Sequence, residues 1–211
     1  DFVHITQFMT APSVLTTHPA VPAKNLKELI AVAKQNPGKL AFSSSGNGGS
    51  PHLAGEMLKM RANIDLIHVP YKGAAPAIAD LLGGQVQMSF QTALSAIPHL
   101  KSGKLNVIAV ASKKRMGTMP NVPTMAEAGV EKFEADQWLG LFAPKGTSAA
   151  IIEKWVAETN KILAQDDFNQ SLANAGMSSA KQGKAEGFDA YFKQDLMQWS
   201  QVVKAANITP D

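Results

Sequence analysis

Cysteine is absent from the 211 residues. That excludes disulfides, thiolate metal sites and a cysteine nucleophile, and it leaves the compartment open. Charge is sparse: 18% of residues are charged, and the net charge is +3. The basic residues are scattered. Lys113, Lys114 and Arg115 form the one basic cluster, which reads as a solvated loop and argues against a nucleic-acid partner. No apolar run approaches the length of a membrane span. The five histidines (His4, His18, His52, His68 and His99) show no close ligand spacing, and HExxH is missing, so no metal is expected. No Walker lysine follows the glycines near residue 48. Pro51 stands where a dinucleotide fingerprint needs its third glycine, and Gly-x-Ser-x-Gly does not occur. Glu56, Asp65, Asp80, Glu127 and Asp136 are dispersed and suggest no acid/base pair. No cofactor and no catalytic centre are expected.

What is present is 45% hydrophobic residues, enough for one large domain or two small lobes. The most informative stretch is Ser43 to His52, Ser-Ser-Ser-Gly-Asn-Gly-Gly-Ser-Pro-His. It falls between an expected strand, Lys39–Phe42, and an expected helix, Pro51–Arg61. Ser50 suits the N-cap and Pro51 the first helical position. Glycines can turn backbone N–H groups inward, and the helix dipole then favours a carboxylate or phosphate. A plain polar turn without a ligand is the competing reading.

Strands alternate with helices along the chain. Phe2–Phe8 and Val14–Thr17 read as strands. Asn25 and Glu28 form a capping-box start, followed by a face of Leu26, Leu29, Ile30 and Ala33 that stops at Asn36-Pro37-Gly38. Leu53, Met57 and Leu58 are the expected inward face of the next helix. Asp65–Val69 is a strand, then comes a helix carrying Ile78, Leu81 and Leu82. Val86, Met88 and Phe90 alternate as in a strand, a helix runs from about Thr92 to Lys101, and Leu105–Ala111 is a buried strand. Thr124 and Glu127 predict a short helix closed by Gly129, and Phe133–Ala143 a strand. A later helix places Ile151, Ile152, Trp155, Val156, Thr159, Ile162 and Leu163 inward, and Asp166 opens a short one ended by Gly176. The last, from about Glu186 to Ala206, places Phe188, Phe192, Leu196, Trp199 and Val203 inward. The alternation predicts a mostly parallel, open α/β sheet with ligands beyond the carboxyl ends of its strands. Three candidate loops lie there: Ser43–Ser50, Tyr71–Gly73 and Gln91–Thr92.

Each candidate has a bland alternative. His52 could bind an anion, but packing against the loop to hold its shape is favoured. Tyr71 could donate its hydroxyl to a ligand. Lys72 could supply charge, or simply face solvent. Gln91 and Thr92 can hydrogen-bond a polar ligand, and Thr92 also suits a helix cap. Trp138 could wall a crevice, with a core role favoured.

Several segments, in order along the chain, resemble the solute-binding proteins of tripartite tricarboxylate transporters, the Bug or TctC family. They are Asp1-Phe-Val-His-Ile-Thr, Asn36-Pro-Gly-Lys-Leu, Ser43-Ser-Ser-Gly-Asn-Gly with Pro51-His-Leu-Ala-Gly-Glu56, His68-Val-Pro-Tyr-Lys-Gly73 and Asp80-Leu-Leu-Gly-Gly-Gln85. Pro120-Asn-Val-Pro-Thr124 with Glu127-Ala-Gly129, and Trp138-Leu-Gly-Leu-Phe-Ala-Pro144, complete the set. The resemblance implies a type II periplasmic-binding-protein (Venus-flytrap) α/β fold that captures a small carboxylate, partly through backbone amides and ordered waters. Carried over by position, Ser44, Ser45, Gly46, Asn47, Gly48, Gly49, Ser50 and His52 would form a carboxylate loop. Tyr71, Lys72 and Gly73 would flank it, and Gln91 and Thr92 would face the cleft. The implied partners are a di- or tricarboxylate and transporter membrane subunits, in the periplasm. The alternatives are a sensing or interaction module without transport, or a truncated form that does not bind, and an enzyme using a serine of Ser43–Ser45 is disfavoured because no base, metal or nucleotide motif accompanies it.

The sequence departs from the family pattern at three places. Gly49 stands where the family often has Ser or Thr. Gln91 stands where it often has Asp, which leans weakly toward a plain di- or tricarboxylate over an amino acid. The chain also begins at Asp1, without an initiator methionine or signal sequence and after the family's first strand and loop. The expectation is a processed protein or a piece of a longer one, with a complete second lobe (12–130) and an incomplete first lobe (1–11 and 131–211). Sheet edges and apolar helix faces would then be left uncovered, for a separate chain, a homodimer or a strand-swapped pair to cover.

Overall fold

The computed structural model describes residues 2–180 and 183–209. Asp1, which opens the first family-like segment, lies outside the described residues. Eight strands and seven helices alternate within the described chain. Contacts divide it into two units, 2–11 with 137–200, and 12–136 with 201–209. The division falls after Asp136, where the sequence suggested residue 130, and the last residues belong to the second unit rather than the first.

The 12–136 unit is built on a five-stranded sheet. Its order is β4 (Ile67–Pro70), β3 (Ala41–Ser44), β5 (Met88–Thr92), β2 (Ser13–Thr17), β6 (Asn106–Val110). β3 runs parallel to β4 and β5. β2 is antiparallel to both β5 and β6, so the sheet is mixed rather than simply open and parallel. Every residue of β2 is buried, as a β-branched strand with neighbours on both sides should be. Helix α1 (Leu26–Gln35) starts as its sequence predicts. The Glu28 N–H donates to Asn25 Oδ1 at 2.9 Å, and Leu26, Leu29 and Ala33 are fully buried. Glu28 closes the motif on the Lys24 N–H at 2.7 Å.

Several boundaries differ from the sequence reading. β3 begins at Ala41, so Ser43 and Ser44 are buried strand residues rather than loop residues. Helix α2 (Ser50–Ala62) starts one residue early: Gly49 is its N-cap, and Ser50 is already helical. Serine at a helix start can occupy either place, and the extended backbone of Gly49 decides it. Leu53 is half-buried, while Ala54 and Gly55 take the inward face with Met57 and Leu58. Gly55 is there for space, because a Cβ would lie 2.1 Å from the Phe42 ring. Helix α3 (Ala74–Leu82) buries Ala77 and Leu81, and α4 (Ala93–Lys101) buries Ala93 and Ala96. The Thr124–Glu127 capping pair forms, at 3.1 and 2.8 Å, but on a turn closed by Gly129 (φ 100°), not on a helix. Phe133 lies in the core against Phe90, four residues before β7 begins.

The other unit carries a three-stranded antiparallel sheet in the order β7 (Gln137–Pro144), β1 (Phe2–Ala11), β8 (Ser178–Ser179). Helix α7 (Ala185–Ala205) fixes an aromatic cluster on it. Phe188 is buried, and Trp138 packs edge-on to Phe188, Tyr191 and Phe192. The Trp138 indole N–H donates to Asp195 at 2.9 Å. Helix α5 (Ala149–Leu163) buries only Thr159 and Leu163. Ile151, Trp155 and Ile162, expected inward, are exposed, as is Leu196 of α7. Val202 is buried where Val203 was expected. Periodicity marks an apolar face, but it cannot say which residues of that face find a neighbour. Helix α6 is Asp166–Asn174.

Candidate functional site

The parallel strands β4, β3 and β5 deliver their carboxyl ends to one edge of the sheet, with β3 in the middle. That alignment brings the loops after β3 and β4 together. The Tyr71 N–H donates to the Ser44 carbonyl at 3.0 Å, and the Cα of Gly46 faces the Tyr71 carbonyl. The β3 loop can double back because Gly46 (φ 140°) and Gly48 (φ 69°) take positive φ. Gly73 (φ 111°) does the same at the start of α3. Ser50 then opens the 13-residue α2, and Pro51 presents no N–H. The Leu53 N–H closes onto the Gly49 carbonyl at 3.0 Å. The positive end of the α2 dipole lies at this loop.

The loop's inner face is tied down. Ser44 Oγ lies 2.6 Å from His68 Nε2 and donates to the Gly46 carbonyl at 3.0 Å. The Gly48 N–H donates to His52 Nδ1 at 3.0 Å. His52 therefore packs against the loop. It also stacks on His68, with 3.7 Å between ring centroids and planes 7° apart. The Phe42 ring lies beside the pair, with its centroid 4.9 Å from that of His68 and 6.4 Å from that of His52. Burial, then the charges of His52 and Lys59, pull His68 down to about 4, so it is neutral at pH 7. Glu56, buried in α2, pairs with Lys59 at 2.9 Å and lies 4.0 Å from His52 Nε2.

The expected ligand side chains differ in exposure and in the hydrogen bonds that hold them. Ser45, Asn47, Ser50 and Lys72 are exposed at the loops. Ser44, Tyr71, Gln91 and Thr92 have protein partners. Tyr71 donates to Asp80 at 2.7 Å. Gln91 is buried and donates to Thr16 Oγ1 at 2.7 Å, while its Oε1 is buried without a partner. Thr92 N-caps α4 with its backbone, and its hydroxyl meets Ser95 Oγ at 2.9 Å. Gly49 has room for a side chain, since an added Cβ makes only ordinary contacts at 3.6 Å and beyond. The residue that sequence reasoning left without a role is His68. Its sequence separation from His52 carries no motif: the β3–β4 register sets His68 beside Phe42, and the placement of α2 against these strands brings His52 onto it. Among the described residues, no group of three or more His, Cys, Asp or Glu could hold a metal ion. No described helix is long and apolar enough to cross a membrane.

Comparison with known proteins agrees with this architecture. The model of the tripartite tricarboxylate transporter family receptor matches residues 1–208. A UPF0065 protein from the tcbD-tcbE intergenic region of a Pseudomonas species is 38% identical over 204 residues, which are 96% of this chain and 60% of that protein. Rpa4515 of R. palustris, solved with adipate, superposes with a TM-score of 0.89 at 28% identity, covering 100% of this chain and 70% of the other. The periplasmic binding protein BugD superposes with a TM-score of 0.85 at 33% identity, covering 100% and 71%. The mixed α/β fold is that of these binding proteins. The chain spans 60–62% of the length of the first curated relatives it matches.

Proposed function

This chain belongs to the tripartite tricarboxylate transporter receptor family, and from that premise we propose that it captures a small organic acid, a di- or tricarboxylate, for such a transporter. The observation that carries the reading is the glycine loop after β3, bent at Gly46 and Gly48 directly ahead of α2 and joined by the β4 loop. Ser45, Asn47, Gly49, Ser50, Lys72 and Gly73 are the residues we assign to the ligand. Ser44, Tyr71 and Thr92 shape the loops that carry them. The place is the periplasm and the partners are the transporter's membrane subunits. BugD, named a periplasmic binding protein, supports the place, and Rpa4515, solved with adipate, supports the class of ligand. His68 Nε2 gives Ser44 Oγ the neighbouring base that the sequence did not reveal, but Ser44 is only 1% exposed and its hydroxyl serves the loop's own backbone, so binding rather than catalysis still fits the loop.

A thermal-shift screen tests the reading with dicarboxylates, tricarboxylates, aromatic acids and amino acids. At a hundredfold excess over Kd, a ligand of the folded state stabilises it by about 2.7 kcal/mol. A di- or tricarboxylate should raise the melting temperature without being consumed. Turnover of the acid, abolished by replacing Ser43, Ser44 or Ser45, would overturn the reading.

A further inference from the structure

Two imidazoles hold the glycine loop, each by a different glycine. His52 accepts the Gly48 N–H at Nδ1, 3.0 Å away. An accepting Nδ1 carries no proton, so this neutral ring has its proton on Nε2, facing Glu56 at 4.0 Å. His68 reaches Ser44 Oγ at 2.6 Å, and that oxygen accepts the Gly46 N–H at 3.3 Å. The rings lie flat on each other at 3.7 Å, with Phe42 beside them. His52 is only 7% exposed. Two imidazolium charges at that separation repel strongly in a partly desolvated site.

We propose that the His52–His68 stack is a proton-sensitive latch on the glycine loop: neutral rings hold Gly46 and Gly48, and a proton on His52 Nδ1 releases Gly48. The chemistry is direct, because a protonated Nδ1 is a donor and cannot face another N–H. The charged and titratable groups recorded around the pair are Glu56 and Lys59 on α2 and His68 on β4. Glu56 is already paired with Lys59, so it offers the imidazolium limited compensation. Ser44 and Phe42 of β3 add no charge. The low value of His68, about 4, agrees with a stack that resists a second proton. The consequence for ligand rests on the carboxylate reading above: the latched loop binds, and acid weakens binding.

The test follows the Gly48 amide by 15N–1H NMR from pH 8 to pH 4.5, in the ligand-free protein and in H52N. Asparagine keeps an uncharged acceptor near the position of Nδ1. The wild-type amide should move in a single sigmoid, in step with the His52 ring nitrogens, and the H52N amide should stay flat. A flat wild-type amide, or the same sigmoid in both proteins, overturns the latch. Should H52N fail to fold, the wild-type ring and amide signals decide alone: the latch requires that they titrate together. Calorimetry with adipate and citrate provides the second arm. As the pH falls from 8 to 4.5 the wild type should lose affinity progressively relative to H52N, in step with the His52 ring nitrogens. A constant ratio overturns the link to binding. If neither acid binds at any pH, the carboxylate reading fails, while the Gly48 amide still tests the latch.

Discussion

Tyr71 gives its phenolic hydrogen to Asp80 Oδ2 at 2.7 Å. The bond ties the β4 loop to α3, the helix that loop leads into. Partial burial, then the hydrogen bond and charge of Asp80, push the phenol up to about 12. Its hydroxyl therefore holds the loop, the role proposed for it above. Tyr71→Phe should cost about 1 kcal/mol of stability, the worth of one hydrogen bond, and change carboxylate affinity by less than about threefold. Denaturant unfolding and calorimetry on the same variant check both. A large loss of affinity with unchanged stability would return the hydroxyl to the ligand.

Gly49 caps α2 without a side chain, and an added Cβ would meet only ordinary contacts. Gly49→Ser should supply the missing capping hydroxyl and stabilise the protein by a few tenths of a kcal/mol. The same hydroxyl adds a donor at the loop, so carboxylate affinity should rise. A melting curve and a titration of adipate check the two effects, and a fall in affinity would place the ligand elsewhere.

The loop's platform depends on the close approach of α2 to β3. Gly55→Ala would set a methyl carbon 2.1 Å from the Phe42 ring, with Met57 and Leu58 buried on the same face. Overpacking of this kind costs about 1–3 kcal/mol. The ring that must move is the one stacked on His68. Chemical denaturation should show the loss, and the His68 ring signals should shift with it.

Asp136 makes a pH-dependent contribution of opposite sign to that of His68. It accepts a hydrogen bond from Ser112, and burial pushes its carboxyl up to about 6. Between the usual value of 3.8 and about 6 the folded state binds more protons than the unfolded chain, so stability falls as pH rises through that window. Asp136→Asn keeps an acceptor and removes the charge. It should stabilise the protein at pH 7.5 by up to about 2 kcal/mol and have little effect at pH 4. His68 acts the other way: its lowered value means that acidification from about 6.5 to about 4 destabilises the fold. Melting curves across pH for wild type and D136N separate the two.

Much of the fold was legible because strong local signals survive folding. The Asn25–Glu28 cap, the Leu26–Leu29–Ala33 face and the alternation through Met88 and Phe90 act within one element. The position of the glycine loop was legible for the same reason. What it is made of was not. Whether Ser43 and Ser44 belong to the strand depends on pairing with β4 and β5. Gln91 turns into the sheet because Thr16 lies there to accept its hydrogen. His68 meets His52 only through the β3–β4 register together with the packing of α2 against those strands. The exposed Ile151, Trp155 and Ile162 show the same limit from the other side, since a helical stripe states what could be buried and not what is.

The central claim is that the loop from Ser45 to Ser50 holds a carboxylate. The most direct measurement is 15N–1H shift mapping while adipate is titrated into the protein at pH 7.5. The account predicts saturable shifts concentrated at the amides of Gly46, Asn47, Gly48, Gly49 and Ser50, joined by Gly73. Saturable binding that leaves those six amides unmoved would contradict it.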